Sequence, residues 1–148
     1  MRPRGVVFVD TDNLYIINNK VNVPILKKRI SEIKGMNYRT YWFGNKFTEG
    51  VIKKNNIDIN MITSEIESNS ADHNLIKYIT RTKNTNILVI TSDSTLQKLA
   101  IFLNPNKIVR VAKFEKNELI PVAVDYNFKN RERLLVFLQS LALYMKRY

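Results

Sequence analysis

The sequence predicts an α/β fold: a single-domain, three-layer sandwich with a mainly parallel central sheet flanked by helices. Three observations carry that expectation. Short apolar, β-branched runs alternate with segments of helical length and spacing. The first run, Val6-Val7-Phe8-Val9, ends abruptly in Asp10-Thr11-Asp12-Asn13, as a buried strand does when it delivers polar groups to the carboxyl edge of a sheet. The chain has 148 residues, the length of one domain able to bury a full core.

The elements follow in order. Residues 6–10 read as the first strand and 12–19 as a short helix ending in Asn18-Asn19-Lys20. Pro24 suits a first helical turn, and Leu26, Ile30 and Ile33 repeat at helical spacing before Gly35. The aromatic run at 38–43 is a second strand, with Gly44 as its stop, and 46–55 is a helix. Alternation at 57–62 predicts a strand, 63–70 a polar loop and 71–82 a helix. A buried strand at 87–90 precedes a helix at 94–103, a turn at Asn104-Pro105-Asn106 and a strand at 108–112. Pro121 makes a further strand at 119–124 edge-like, and a helix closes the chain from about 129 to 146. Residues 113–148 thus read as a strand-and-helix extension of the single domain. The apolar last helix, with Leu134, Leu135, Phe137, Leu138, Leu141, Ala142 and Met145, is expected to cover a sheet face; a homodimer interface is the alternative.

Composition narrows the function. The absence of cysteine excludes a disulfide scaffold, a thiolate metal site and a thiol nucleophile. No apolar run approaches the ~20 residues that span a bilayer. The basic start Met1-Arg2-Pro3-Arg4 precedes an apolar run only one strand long, so a cytoplasmic protein without a signal peptide is expected. Twenty-four Lys and Arg against thirteen Asp and Glu give a formal charge of +11, spread along the chain. A polyanion, foremost a nucleic acid, is the expected partner.

Acids fall where the topology gathers them. Asp10 ends the first strand, and Asp93 follows the strand Ile87-Leu88-Val89-Ile90-Thr91-Ser92. Asp72 heads an apolar helical stripe of Leu75, Ile76 and Ile79, which aims it at the carboxyl edge of the sheet. Asp72 and Asp93 also read as helix caps, and Asp12 as a cap or a solvated acid. Three converging carboxylates repel one another unless a positive group sits among them, either Lys or Arg or a hard divalent cation such as Mg²⁺ or Mn²⁺.

These residues carry a resemblance. Val7-Phe8-Val9-Asp10-Thr11-Asp12-Asn13-Leu14-Tyr15 resembles the opening motif of NYN domains, a branch of the PIN-like nuclease superfamily. Ala71-Asp72-His73-Asn74-Leu75 is similar to the second motif of the family. Leu88 to Leu96 is similar to the third, a strand usually ending in Gly-Asp-Ser-Asp-Phe. The resemblance spans residues 5–112 and implies a PIN-like fold and a metal-dependent ribonuclease. It matches Asp10, Asp72 and Asp93 to the catalytic, metal-binding acids and Asn13 to the polar residue supporting them. Ser92 stands where the third motif has Gly, and Thr95 where it has a second Asp. The missing charge would weaken a second cation; Asp12, Glu65 and Glu67 are the candidates to replace it.

On that reading, Asp10, Asp72 and Asp93 hold Mg²⁺ or Mn²⁺ beside a scissile phosphodiester, preferably in RNA. Asn13 supports the site, together with Asp12, Ser92 and Thr95. Lys46, Lys27, Lys28 and Arg81 attract the strand, and Tyr15, Tyr41 or Trp42 offer stacking surfaces. His73, the sole histidine, reads as an exposed spectator, with general acid as the minor reading. Two alternatives stand beside the nuclease. One is a degenerate PIN-like module that binds nucleic acid without cutting it, supported by Thr95. The other is a haloacid dehalogenase-like phosphatase, for which Asp10-Thr11-Asp12 is the Asp-x-Asp opening and Asp10 the nucleophile; Asp125 then stands alone where a later acid pair is needed.

Overall fold

The computed structural model describes residues 5–64, 70–125 and 131–147. Eight strands are present among them: β1 (Val6–Asp10), β2 (Ile16–Ile17), β3 (Lys20–Val21), β4 (Arg39–Asn45), β5 (Met61–Ser64), β6 (Asn86–Ile90), β7 (Ile108–Glu115) and β8 (Glu118–Pro121). The helices are α1 (Val23–Gly35), α2 (Lys46–Lys54), α3 (Ser70–Arg81), α4 (Ser94–Phe102) and α5 (Arg131–Arg147). Six strands form the central sheet in the order β5-β4-β1-β6-β7-β8. All neighbours are parallel except β7 and β8. The protein is therefore an α/β protein with a mainly parallel sheet.

The side-chain alternation of β1 builds both layers around it. Val7 and Val9 face a core with Leu26, Ile30 and Ile33 of α1 and Ile52 of α2. Val6 and Phe8 face the other core, with Leu75, Ile76 and Ile79 of α3, Leu96 and Leu99 of α4, and Phe137 and Leu141 of α5. Local signals start the helices. The Asn22 side chain accepts from the Ile25 amide at 3.1 Å, with Pro24 in the first turn of α1. Asn45 accepts from the Thr48 amide at 3.0 Å at the start of α2.

Several expectations need correction. Residues 12–19 are not a helix. Thr11–Asn13 is one 3₁₀ turn, and β2 and β3 form an antiparallel hairpin through Asn18 and Asn19, both at positive φ. That two-residue reversal fits the twist of a tight hairpin, and Ile16, Ile17 and Val21 are β-branched. Gly44 does not stop β4, which continues to Asn45 to pair with β5. The strand expected at 57–62 lies at 61–64, in register with the last four residues of β4, so Thr63 and Ser64 are sheet residues. β7 runs to Glu115, beyond 112, and β8 lies at 118–121 rather than 119–124, antiparallel to it at the sheet edge. The start of the last helix at 129–130 lies outside the described residues, as do Glu65, Glu67 and the stretch Met1–Arg4. No helix among the described residues is long and apolar enough to cross a membrane.

Candidate active site

The strand order reverses at β1: β4 and β5 lie on one side, β6 and β7 on the other. In open parallel sheets such a reversal opens a crevice beyond the carboxyl ends of the two central strands. Asp10 is the last residue of β1, and Thr91 follows β6, which pairs with β1 as far as Val9 and Ile90. Asp10 is only 2% exposed. Its Oδ2 accepts from the Thr91 hydroxyl at 2.8 Å and from the Asn13 amide group. The Thr91 hydroxyl also accepts from the Asp93 amide at 3.1 Å. Thr91 is itself fixed: its amide donates to the Ala112 carbonyl at 3.0 Å, and its carbonyl accepts from Gln97 at 2.8 Å. A single hydroxyl therefore couples the ends of β1 and β6 to the start of α4.

Charge accumulates here. Burial is the largest cause pushing the Asp10 carboxyl up to about 7, and the negative charges of Asp12 and Asp93 push the same way. The hydrogen bonds from Thr91 and Asn13 pull against them. Both bonds fall on Oδ2; Oδ1 has no hydrogen-bond partner among the described residues. Asp93 accepts from the Thr95 and Leu96 amides through Oδ1, at 2.9 and 3.2 Å, capping α4. The cap role and a place beside Asp10 thus coexist in one residue. Asp12 accepts through Oδ1 from the Thr48 hydroxyl and from the Asn45 amide at 3.2 Å. The Tyr15 hydroxyl meets Thr48 Oγ1 at 2.8 Å, so this branch ties the 3₁₀ turn to the start of α2. Burial raises the Asp12 carboxyl as well.

The crevice opens into a cleft of about 220 Å³. Asp10, Asn13, Thr91 and Ser92 form its polar wall, and Ile16 and Ile17 of the small hairpin line it too. Arg29 of α1 and Phe114 of β7 complete it, with the Arg29 guanidinium carbon 5.1 Å from the centre of the Phe114 ring.

The structure gathers some of the expected residues and separates others. Asp10, Asn13, Ser92 and Asp93 share the crevice, with Asp12 close enough to act on Asp10 by its charge. Thr95 lies in the first turn of α4, where its amide serves Asp93. Asp72 lies half-buried in the first turn of α3. Among the described residues, no three His, Asp or Glu side chains group closely enough to hold a metal ion. Asp10, whose Oδ1 has no hydrogen-bond partner among the described residues, and Asp93, whose charge acts on it, are the carboxylates of the crevice that could contribute oxygen ligands to a hard cation. They do not form a ready-made cage of three carboxylates.

Lys46 is exposed at the start of α2, just past the carboxyl end of β4, and Lys27 and Lys28 are exposed on α1. Arg81 ends α3, which returns the chain to the amino edge of the sheet, so it stands away from the crevice. It lines a separate groove with Tyr41, Lys77 and Tyr78. Tyr15 and Trp42 are core residues, buried beyond the reach of a base. His73 is no exposed spectator: it is 3% exposed, with Nε2 3.2 Å from the Ser140 hydroxyl and its ring against Phe137 and Tyr144. It fastens α5 to α3.

Two residues of the site were not foreseen. Thr91 carries no local mark beyond its place before Ser92-Asp93. Arg29 has a visible one: it lies three residues after Leu26 and four before Ile33, a charge inside an apolar stripe. Fold and site define an α/β protein with an acid-lined crevice at the turning point of its sheet. The chain matches no family model, no curated protein and no solved structure.

Proposed function

We propose that the chain is a metal-dependent nuclease of PIN-like type that hydrolyses phosphodiester bonds, with RNA as its preferred substrate. One observation carries the reading. Asp10 is a buried carboxyl at the sheet's turning point, and the charges acting on it are those of two further acids. An arrangement that costs stability in the empty protein is what a cation site requires. The similarity of the three acid-bearing motifs to NYN domains supports the same reading, as does the formal charge of +11.

Asp10 and Asp93 would hold Mg²⁺ or Mn²⁺. When bound, the ion supplies positive charge for the scissile phosphate and activates water. The protein's own part is positioning. Thr91 and Asn13 fix the Asp10 carboxylate through Oδ2 and leave Oδ1 without a competitor among the described residues. The helix amides of Thr95 and Leu96 fix Asp93. Lys46, Lys27 and Lys28 draw the polyanion to this side.

Labelled single-stranded RNA, incubated with the protein in Mn²⁺ or in EDTA, tests the proposal. Cleavage should require the metal and fall at least about a hundredfold in Asp10→Asn. Cleavage that survives chelation or that substitution would overturn it. A second reading, a nucleic-acid-binding module without cleavage, has its own support: no three acids are grouped among the described residues, and Thr95 stands in place of an acid. It predicts RNA binding that is indifferent to EDTA, with no product. The phosphatase alternative is weakened by Asp12, whose Oδ1 is engaged by Thr48 and Asn45.

A further inference from the structure

Arg29 lies in the buried stripe of α1 at 7% exposure. A guanidinium stays charged in proteins, and burying one without a counter-charge is costly. Nη1 donates to the Leu14 carbonyl at 2.8 Å and Nη2 to the Lys116 carbonyl, while Nε is buried without a hydrogen-bond partner. Its hydrogen bonds go to neutral carbonyls, and no carboxylate pairs with it among the described residues. The positive charge is therefore anchored by two carbonyls and the Phe114 ring, and has no counter-charge among the described residues. The same side chain lines the cleft that also exposes Asn13, Thr91 and Ser92. A cavity of about 220 Å³ has room for a phosphate group.

We propose that this cleft is a phosphate-binding subsite in which Arg29 supplies the anion contact. Its Nη groups keep N–H donors beyond the two already used, in the planar arrangement that suits phosphate oxygens. The two carbonyls hold the guanidinium in place before the ligand arrives. The polynucleotide identity of the ligand rests on the nuclease reading; the anion chemistry does not.

The experiment is a titration of the ¹⁵N-labelled full chain with uridine 5′-monophosphate in EDTA, followed by NMR, with uridine as the control. The monophosphate should shift the amides of Asn13, Thr91 and Ser92, and uridine should not. Arg29→Lys keeps the charge and loses the fork, and should weaken binding about tenfold. At pH 8, Asp10→Asn removes a neighbouring negative charge and should tighten it several-fold. Exposed Lys83→Ala, between α3 and β6 at the amino edge of the sheet, should leave it unchanged. Equal affinity in Arg29→Lys, or indifference to Asp10→Asn, would make Arg29 a brace for the Leu14 and Lys116 carbonyls and overturn the proposal. Should Arg29→Lys fail to fold, the Asp10→Asn arm decides with Arg29 intact. If the nuclease reading alone is wrong, the monophosphate still binds here while RNA goes uncut.

Discussion

A carboxyl group deprived of water and flanked by two acids holds its proton far above the usual range, and Asp10 does so up to about 7. In the unfolded chain its ordinary value of 3.8 applies. Between those values the folded protein keeps a proton that the unfolded chain releases. Its contribution to stability is thus complete below about 3.8 and lost as the pH rises through about 7. Asp10→Asn should abolish that slope and stabilise the metal-free protein at pH 8 by about 1–3 kcal/mol, as urea denaturation across pH would show. An unchanged or lower stability would mean that the charge is already neutralised. Asp10 and Asn13 were legible in the sequence, because a strand that ends in polar residues announces itself locally. Thr91 was not, because its role exists only once β6 lies beside β1. Arg29 was hidden among better apolar matches on the same helix.

Elements show the same division. β1, α1, α2, α3, β6 and α4 were readable to within two residues, since each has a period, a cap or an apolar run of its own. The β2–β3 hairpin was read as helix because its strands are only two residues long, too short for any period to emerge. At Gly44, a Cβ would stand 2.6 Å from Met61 Cε and 2.8 Å from Asp12 Oδ1. The methionine tip can swing away; the carboxylate, held by Thr48 and Asn45, cannot. Gly44→Ala should therefore cost about 1–3 kcal/mol by chemical denaturation. The join between α3 and α5 should respond to acid. Burial lowers the proton affinity of His73, which faces Ser140, Phe137 and Tyr144, with Lys77 beside Tyr144. A folded value below the unfolded 6.5 means that its stability is present above about 6.5 and lost as the pH falls toward the folded value. Hydrogen exchange in α5 should accelerate from pH 7 to pH 5, beyond the intrinsic pH effect; His73→Phe should remove that excess.

For the whole molecule, the α/β class and the gathering of polar strand ends at one edge followed from the order of elements alone. The pairing partners came from packing. The charge of +11 acts at this scale. RNA affinity should fall steeply with salt, and replacing Lys46, Lys27 or Lys28 with Ala should reduce the log–log slope by about one each if they meet phosphates. Arg81→Ala, on the far edge, should leave metal-dependent cleavage intact. Filter binding across a salt series measures the first, and a gel assay the second.

The central sheet finishes on both flanks in a four-residue strand, Met61–Ser64 on one side and Glu118–Pro121 on the other, the latter closed by proline. Such stubs give an arriving extended chain little backbone to zip onto. Fibril-like growth and peptide capture along these borders are disfavoured. Exposed apolar side chains lie instead on the helical coat, where Leu135, Val136 and Leu143 of α5 are 57%, 61% and 70% exposed.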